Sequence, residues 1–80
     1  MDQRQLIDDF IHLRGCFSDR AVENYVDGQD LQSARYHFAA GSGFLEQAKS
    51  ETLESEWHRL MSLVEWHFEK TNAILRRYDC

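Results

Sequence analysis

The sequence contains no proline and only four glycines among its 80 residues. Proline and glycine end helices and build the turns between short strands, so their scarcity favours a chain made mostly of helices. With 42% hydrophobic and 29% charged residues, the composition is that of a globular protein and not of a disordered one. A chain of this length forms one domain at most. We therefore predict a single all-α domain over residues 1–80.

Cysteine is also scarce, and long apolar runs are absent. Cys16 and Cys80 are the only cysteines, and neither belongs to a CxxC pair. No apolar run approaches the roughly 18 residues of a membrane-spanning helix, and the N-terminus lacks the pattern of a signal peptide. These features predict a cytoplasmic protein with unpaired thiols, no membrane association and no cofactor.

The chain lacks a basic excess, since its formal net charge is −5. Proteins that bind nucleic acids gain much of their affinity by neutralising phosphates with lysine and arginine. The acidic balance therefore argues against nucleic acid as the principal partner.

Hydrophobic periodicity and capping residues divide the chain into four predicted helices, at about 3–14, 19–27, 31–49 and 52–78. Gly15 is a candidate for the end of the first helix and Ser18 for the N-cap of the second. Asp30 is the predicted N-cap of the third helix. Ser50 or Thr52 is the predicted cap of the fourth.

The third segment carries a regular seam of apolar residues at alternating steps of three and four. Large residues occupy one position of the repeat and small residues the other, a pattern that lets a second helix approach closely. The positions are Leu31, Ala34, Phe38, Gly41, Leu45 and Ala48. The unbroken seam predicts one helix through Gly41-Ser42-Gly43; the alternative is a Gly-Ser-Gly loop between two short helices.

The fourth segment has a wide apolar stripe that includes Trp57, Val64 and Phe68, interrupted by His67 and Thr71. A short connection to the third helix predicts an antiparallel helical hairpin. The two short N-terminal helices would cover part of it. Because so short a chain can bury little of this apolar surface, we predict a homodimer that completes a helical bundle.

No arrangement of residues in the sequence is typical of a catalytic or metal site. His12 follows Asp8 and Asp9 by one helical turn, but a structural zinc site needs four ligands. The serines match no nucleophile or phosphate-loop motif. One alternative stays open, a histidine phosphotransfer or ligand-binding bundle that uses His58 or His67.

Trp66 points away from the main apolar stripe of the fourth helix. Leu63 flanks it, and three cations share that side of the helix: Arg59, Lys70 and Arg77. An outward tryptophan bordered by cations is typical of interaction hot spots, whereas packing of the N-terminal helices on this side would make Trp66 a core residue. The sequence thus predicts a small non-catalytic protein-interaction module, a regulator, adaptor, chaperone or inhibitor of a larger protein, and the cations favour an acidic surface on that partner. Duplex binding through the same cations is the remaining alternative.

Overall fold

A computed structural model describes residues 3–18 and 26–78, and three helices account for nearly all of them. They are α1 (Gln3–Ser18), α2 (Gly28–Ser50) and α3 (Glu54–Arg76). The described ranges contain no strand, which confirms the all-helical class. Within the same ranges, no helix has both the length and the apolar character needed to cross a membrane.

The first helix is one turn longer than predicted. It continues through Gly15 to Ser18. The extra turn buries Cys16 and packs Phe17 against the core, and this burial favours the longer helix. Ser18 is the last residue of α1 and not an N-cap; its hydroxyl donates a hydrogen bond to the carbonyl of Arg14. Cys16 is disulfide-bonded, so the predicted unpaired thiol is wrong for this residue. Cys80 lies outside the described residues.

The second long helix begins earlier than predicted. Most of the helix predicted at 19–27 lies outside the described residues, and its last two positions are not helical. Asp27 is the N-cap of α2, because its Oδ1 atom accepts a hydrogen bond from the backbone N–H of Gln29 at 3.0 Å. α2 then runs without interruption through Gly41-Ser42-Gly43. The alternative of a Gly-Ser-Gly loop is therefore wrong.

The connection between α2 and α3 uses a different cap from the one expected. Leu53 occupies the N-cap position of α3 and makes no side-chain capping bond. The carboxylate of Glu51 accepts hydrogen bonds from the backbone N–H groups of Thr52 and Leu53, at 3.0 and 2.9 Å. Ser50 instead donates to the carbonyl of Gln47. The carboxylate of a glutamate thus accepts the backbone hydrogen bonds for which the sequence predicted a serine or threonine cap.

The middle of α2 lies very close to α3. A Cβ atom added at Gly41 would lie 2.6 Å from Cε1 of Phe68 and 3.2 Å from Cβ of His67. Phe68 and Val64 have no exposed surface. Along α2 the structure buries Leu31, Ala34, Gly41 and Ala48 and leaves Phe38 and Leu45 half-buried. The absence of a side chain at Gly41 therefore makes room for the Phe68 ring.

The start of α2 is held against the end of α3 by polar contacts. The hydroxyl of Tyr78 donates a hydrogen bond to Oδ2 of Asp30 and accepts one from the backbone N–H of Asp27. The bond to Asp30 raises the pKa of Tyr78 above its ordinary value, because ionisation would remove the donated proton. Val26 and Leu31 form a small apolar cluster beneath these groups.

The first helix packs on the long helices mainly through aromatic rings. Phe10 stacks on Phe38 with ring centroids 5.6 Å apart, and Phe17 lies 5.1 Å from the same ring. Phe10 also lies 6.1 Å from Phe68. Leu6 and Leu13, one on each side of Phe10 along α1, are buried in the same core. The core therefore lies where the inner face of α1 meets both long helices.

Candidate interaction surfaces

Trp66 lies at the surface and not in the core. Its side chain is 48% exposed, so the described part of α1 does not cover it. The edges of two imidazole rings meet its indole, with centroid distances of 5.5 Å for His37 and 4.8 Å for His67. The ammonium of Lys70 lies 5.4 Å from the indole centroid. We call Trp66, Lys70, Leu63, Tyr36 and His37 the Trp66 surface.

Beneath this surface, two histidines from different helices meet. Nδ1 of His37 and Nδ1 of His67 are 2.9 Å apart, a distance at which one nitrogen donates a proton to the other. His67 is only 7% exposed. Burial, and to a smaller extent the charge that His37 can carry, lowers the pKa of His67 below its ordinary value. The pair therefore favours a state in which the two facing nitrogens share one proton.

The sequence identified His67 as an interruption of the apolar stripe but missed its partner. His37 directly precedes the seam residue Phe38, so a helical wheel places it at the edge of the seam. Tyr36 contributes a further exposed ring, with its centroid 6.2 Å from that of His67. A search for polar residues next to apolar core positions on both helices would have brought His37 and His67 together, but it would not have found Tyr36, which lies two positions from the nearest seam residues.

The three cations predicted near Trp66 have separate partners. Arg59 donates three hydrogen bonds to the carboxylate of Glu56, the shortest at 2.9 Å, and these bonds lower the pKa of Glu56. Arg77 lies 3.6 Å from Oδ1 of Asp30, beside α2. Lys70 is the one of the three whose cation lies over the indole ring in the described part of the chain. Leu63, which precedes Trp66 by three residues on α3, is half-buried.

The other two histidines lie apart from this surface. His58 is exposed, and its Nε2 atom is 3.6 Å from Oε1 of Glu54. Nε2 of His12 lies 3.7 Å from Sγ of Cys16. Within residues 3–18 and 26–78, no three side chains of the metal-ligating types form a group that could hold an ion.

A second surface, which we call the α1 groove, opens between α1 and the ends of the long helices that meet at the connection. Its volume is about 390 Å³, and all but one of its lining side chains are apolar. The lining residues are Ile7, Phe10, Ile11, Leu45, Ala48, Lys49, Trp57 and Met61. Ile7 and Ile11 are 48% and 56% exposed. The buried stripe of α1 consists of Leu6, Leu13 and Cys16, and the two isoleucines lie outside it.

No protein family matches this sequence, and comparison with curated proteins and with solved structures finds no match either. The function must therefore be argued from these two surfaces.

Proposed function

We propose that this protein is a small non-catalytic interaction module that binds a larger protein through the Trp66 surface. One observation carries the proposal: a tryptophan that is 48% exposed is nevertheless held by ring contacts from both long helices. Clusters of exposed apolar and aromatic side chains bordered by polar groups mark interaction sites, and tryptophan is enriched at the hot spots of such sites.

The contacts around Trp66 also reduce the cost of binding. Association loses conformational freedom when a long side chain must be ordered, at about 0.5–1.5 kcal/mol for each such side chain. The rings of His37 and His67 already pack against the indole, and Lys70 lies beside it. The surface therefore offers an ordered aromatic ring with a cation at its edge.

The partner that fits this surface has an apolar pocket for the indole and carboxylates close to that pocket. Lys70 supplies the complementary charge, although the whole chain carries −5. Such a local cation attracts an acidic site, and salt weakens the attraction when the charges are exposed. The partner we propose is thus an acidic region of a larger protein.

The test measures the affinity of a purified partner for four forms of the protein. A tagged chain captures candidate partners from source cells, and the stoichiometric one is identified, purified and titrated by calorimetry. Trp66→Ala is expected to weaken binding by about 30-fold, because truncation of a hot-spot residue costs about 2 kcal/mol. Lys70→Glu is expected to weaken it less, and the loss should shrink as salt is added.

Leu53→Ala is the matched control, because Leu53 is 63% exposed and lies on the connection at one end of the molecule, remote from the Trp66 surface. This variant should bind like the native protein. If Trp66→Ala also binds like the native protein, the Trp66 surface is not the interface and the proposal fails.

The two alternative functions have no specific observation in their favour. Phosphotransfer would use an accessible histidine, and the most exposed candidate, His58, lies beside Glu54. Binding of nucleic acid would use Arg59, Lys70 and Arg77. Arg59 and Arg77 face Glu56 and Asp30, and Lys70 lies over the indole of Trp66. A phosphotransfer protein would lose function on His58→Ala, and a nucleic-acid binder would bind duplex at low salt. The interaction module should tolerate the first change and give a flat titration in the second.

We also propose that α2 and α3 act as a helical hairpin, with the N-terminal segment packed on it, and that a homodimer completes the bundle. The apolar α1 groove and the two exposed isoleucines support this assembly, because a second chain packed there would remove their apolar surface from water. Sedimentation equilibrium tests the dimer, and a monomeric mass at every concentration would contradict it.

A further inference from the structure

Two imidazole rings from different helices face each other beneath Trp66, and their nearest atoms are ring nitrogens. Nδ1 of His37 lies 2.9 Å from Nδ1 of His67. The α2 backbone passes close to His67, since a Cβ atom added at Gly41 would lie 3.2 Å from its Cβ atom. The ring of Phe44 stacks on the same imidazole at a centroid distance of 5.7 Å. The packing of α2 on α3 therefore holds the two nitrogens together.

We propose that these two nitrogens are a pair of ligands for a transition-metal ion, and that the ion they bind most tightly is Cu²⁺. Imidazole is a ligand common to Cu²⁺, Ni²⁺ and Zn²⁺, and Cu²⁺ binds a given nitrogen site more tightly than the other two. The ion would replace the hydrogen bond between the rings. The ring that carries its proton on Nδ1 would move it to Nε2, which leaves both Nδ1 lone pairs for the ion while both rings stay neutral.

The separation of the two nitrogens suits an ion that forms its bonds at right angles. Bonds from an imidazole nitrogen to such an ion are about 2.0–2.1 Å long. Two of them at a right angle, as in the square-planar or tetragonal arrangement of Cu²⁺, place their nitrogens about 2.9 Å apart. A tetrahedral Zn²⁺ would separate them by about 3.3 Å. The observed 2.9 Å thus favours Cu²⁺ and requires each ring to turn toward the ion without a change in the distance between the nitrogens.

Solvent would supply the other ligands of the ion. Within residues 3–18 and 26–78, no aspartate, glutamate, cysteine or further histidine joins the pair to make a group of three. The half-buried His37 also lines an open cleft of about 490 Å³, together with Gln29, Gln32, Ser33 and Tyr36. Water in this cleft would complete the coordination. Such an open site binds an ion more weakly than a closed structural site and leaves positions for a further ligand.

The pair presents its ligands in the neutral form that metal ions require. Burial, followed by the charge that His37 can carry, lowers the pKa of His67 and keeps this ring neutral at physiological pH. The cation nearest to the pair in the described contacts is Lys70, which lies over the indole of Trp66. Protons compete with the ion for both nitrogens, so the affinity for Cu²⁺ should fall between about pH 7.5 and about pH 5.5.

Titration with Cu²⁺ alone tests the site in a chain without a histidine tag. Trp57→Phe is the background, because Trp66 is then the only tryptophan and its indole meets both imidazoles. Bound Cu²⁺ should quench its fluorescence until one ion is bound per chain. His37→Gln and His67→Gln should each raise the dissociation constant about tenfold or more, because the second nitrogen of a pair binds as an intramolecular event.

His58→Gln is the matched control, since His58 is exposed and lies beside Glu54, apart from the pair. This variant should bind Cu²⁺ like the background. Electron paramagnetic resonance of the bound ion adds a readout that a change in folding alone would not give. The background should show coupling to two nitrogens and His37→Gln to one, with equal helix content by circular dichroism.

Quenching that does not saturate overturns the proposal, and so does a His37→Gln variant that binds Cu²⁺ as tightly as the background. The contact would then be a hydrogen bond between two rings and nothing more. Loss of binding in His58→Gln would place the ion on that histidine and would also refute the site. The ligands belong to this chain alone, so none of these results bears on the titration of the larger protein with Trp66→Ala. The metal site and the interaction function therefore fail separately.

Discussion

The contact between α2 and α3 and the packing of α1 are built in different ways. Between the long helices, Gly41 allows the Phe68 ring to pack against the α2 backbone, and Val64 and Thr71 are completely buried. α1 instead rests on stacked rings and leaves Ile7 and Ile11 exposed at its edge. Two helices whose backbones approach closely bury the side chains between them completely. A helix held away by large rings keeps part of its apolar surface exposed to solvent. The long helices are therefore the scaffold, and α1 is the layer that has surface available for another chain.

The largest change in stability is expected on truncating a phenylalanine between the long helices, compared with one in α1. Phe68→Ala should destabilise the protein by about 3–5 kcal/mol, because it removes a fully buried ring and leaves a cavity against Gly41. Phe10→Ala, in α1, removes a half-buried ring and should cost roughly half as much. Urea unfolding followed by circular dichroism measures both. Equal losses would mean that α1 is packed as tightly as the long helices.

An intermediate effect is expected from two glycines of the same helix. Gly43→Ala should stabilise the protein by up to about 1 kcal/mol, since alanine is the better helix former and an added Cβ atom meets nothing within 4 Å. Gly41→Ala should instead destabilise it, by about 1–2 kcal/mol, because the new Cβ atom would lie 2.6 Å from Cε1 of Phe68.

The two glycine variants share the gain in helix propensity, so the difference between their unfolding free energies isolates the cost of close approach. A stabilising Gly41→Ala would show that α3 can move away from α2 at no cost. The close contact between the scaffold helices would then be unimportant.

Much of the scaffold was accessible from the sequence, because helical packing repeats along the chain. Small residues at a fixed spacing predicted a continuous α2 despite two interior glycines, and α2 is continuous. The pattern needs no information from elsewhere in the chain, since the residues that must be small recur every seven positions.

The ends of the helices and the surfaces were less accessible, because they depend on contacts between distant residues. Asp27 caps α2 where Asp30 was the expected cap, and Asp30 instead accepts the hydroxyl of Tyr78, nearly fifty residues away along the chain. The cations beside Trp66 were predicted from a helical wheel, which represents one helix alone. It cannot show that Arg77 pairs with Asp30 of another helix. Nor could it show that His37 meets His67.

The smallest effect we expect lies in the pH dependence of the scaffold at this histidine pair. Burial, followed by the charge of His37, lowers the pKa of His67 in the folded protein below its ordinary value. In the window between that lowered pKa and the ordinary value of about 6.5, the unfolded chain binds more protons than the folded one, so stability falls as the pH falls. Above this window the contribution is complete.

The urea midpoint of the native protein should therefore be lower at about pH 5.5 than at about pH 7.5. Both values lie above the range in which carboxylates ordinarily titrate. His67→Gln replaces the buried imidazole with a side chain that does not titrate, and it should reduce that decrease. The indole of Trp66 touches both rings, so its fluorescence also reports their titration. The measurement uses a Trp57→Phe variant, because Trp57 lies 5.1 Å from the ring of His58. If the native protein and His67→Gln have the same pH dependence, protonation of His67 does not lower the free energy of unfolding. The middle of the scaffold would then tolerate charge as readily as the exposed edge of α1.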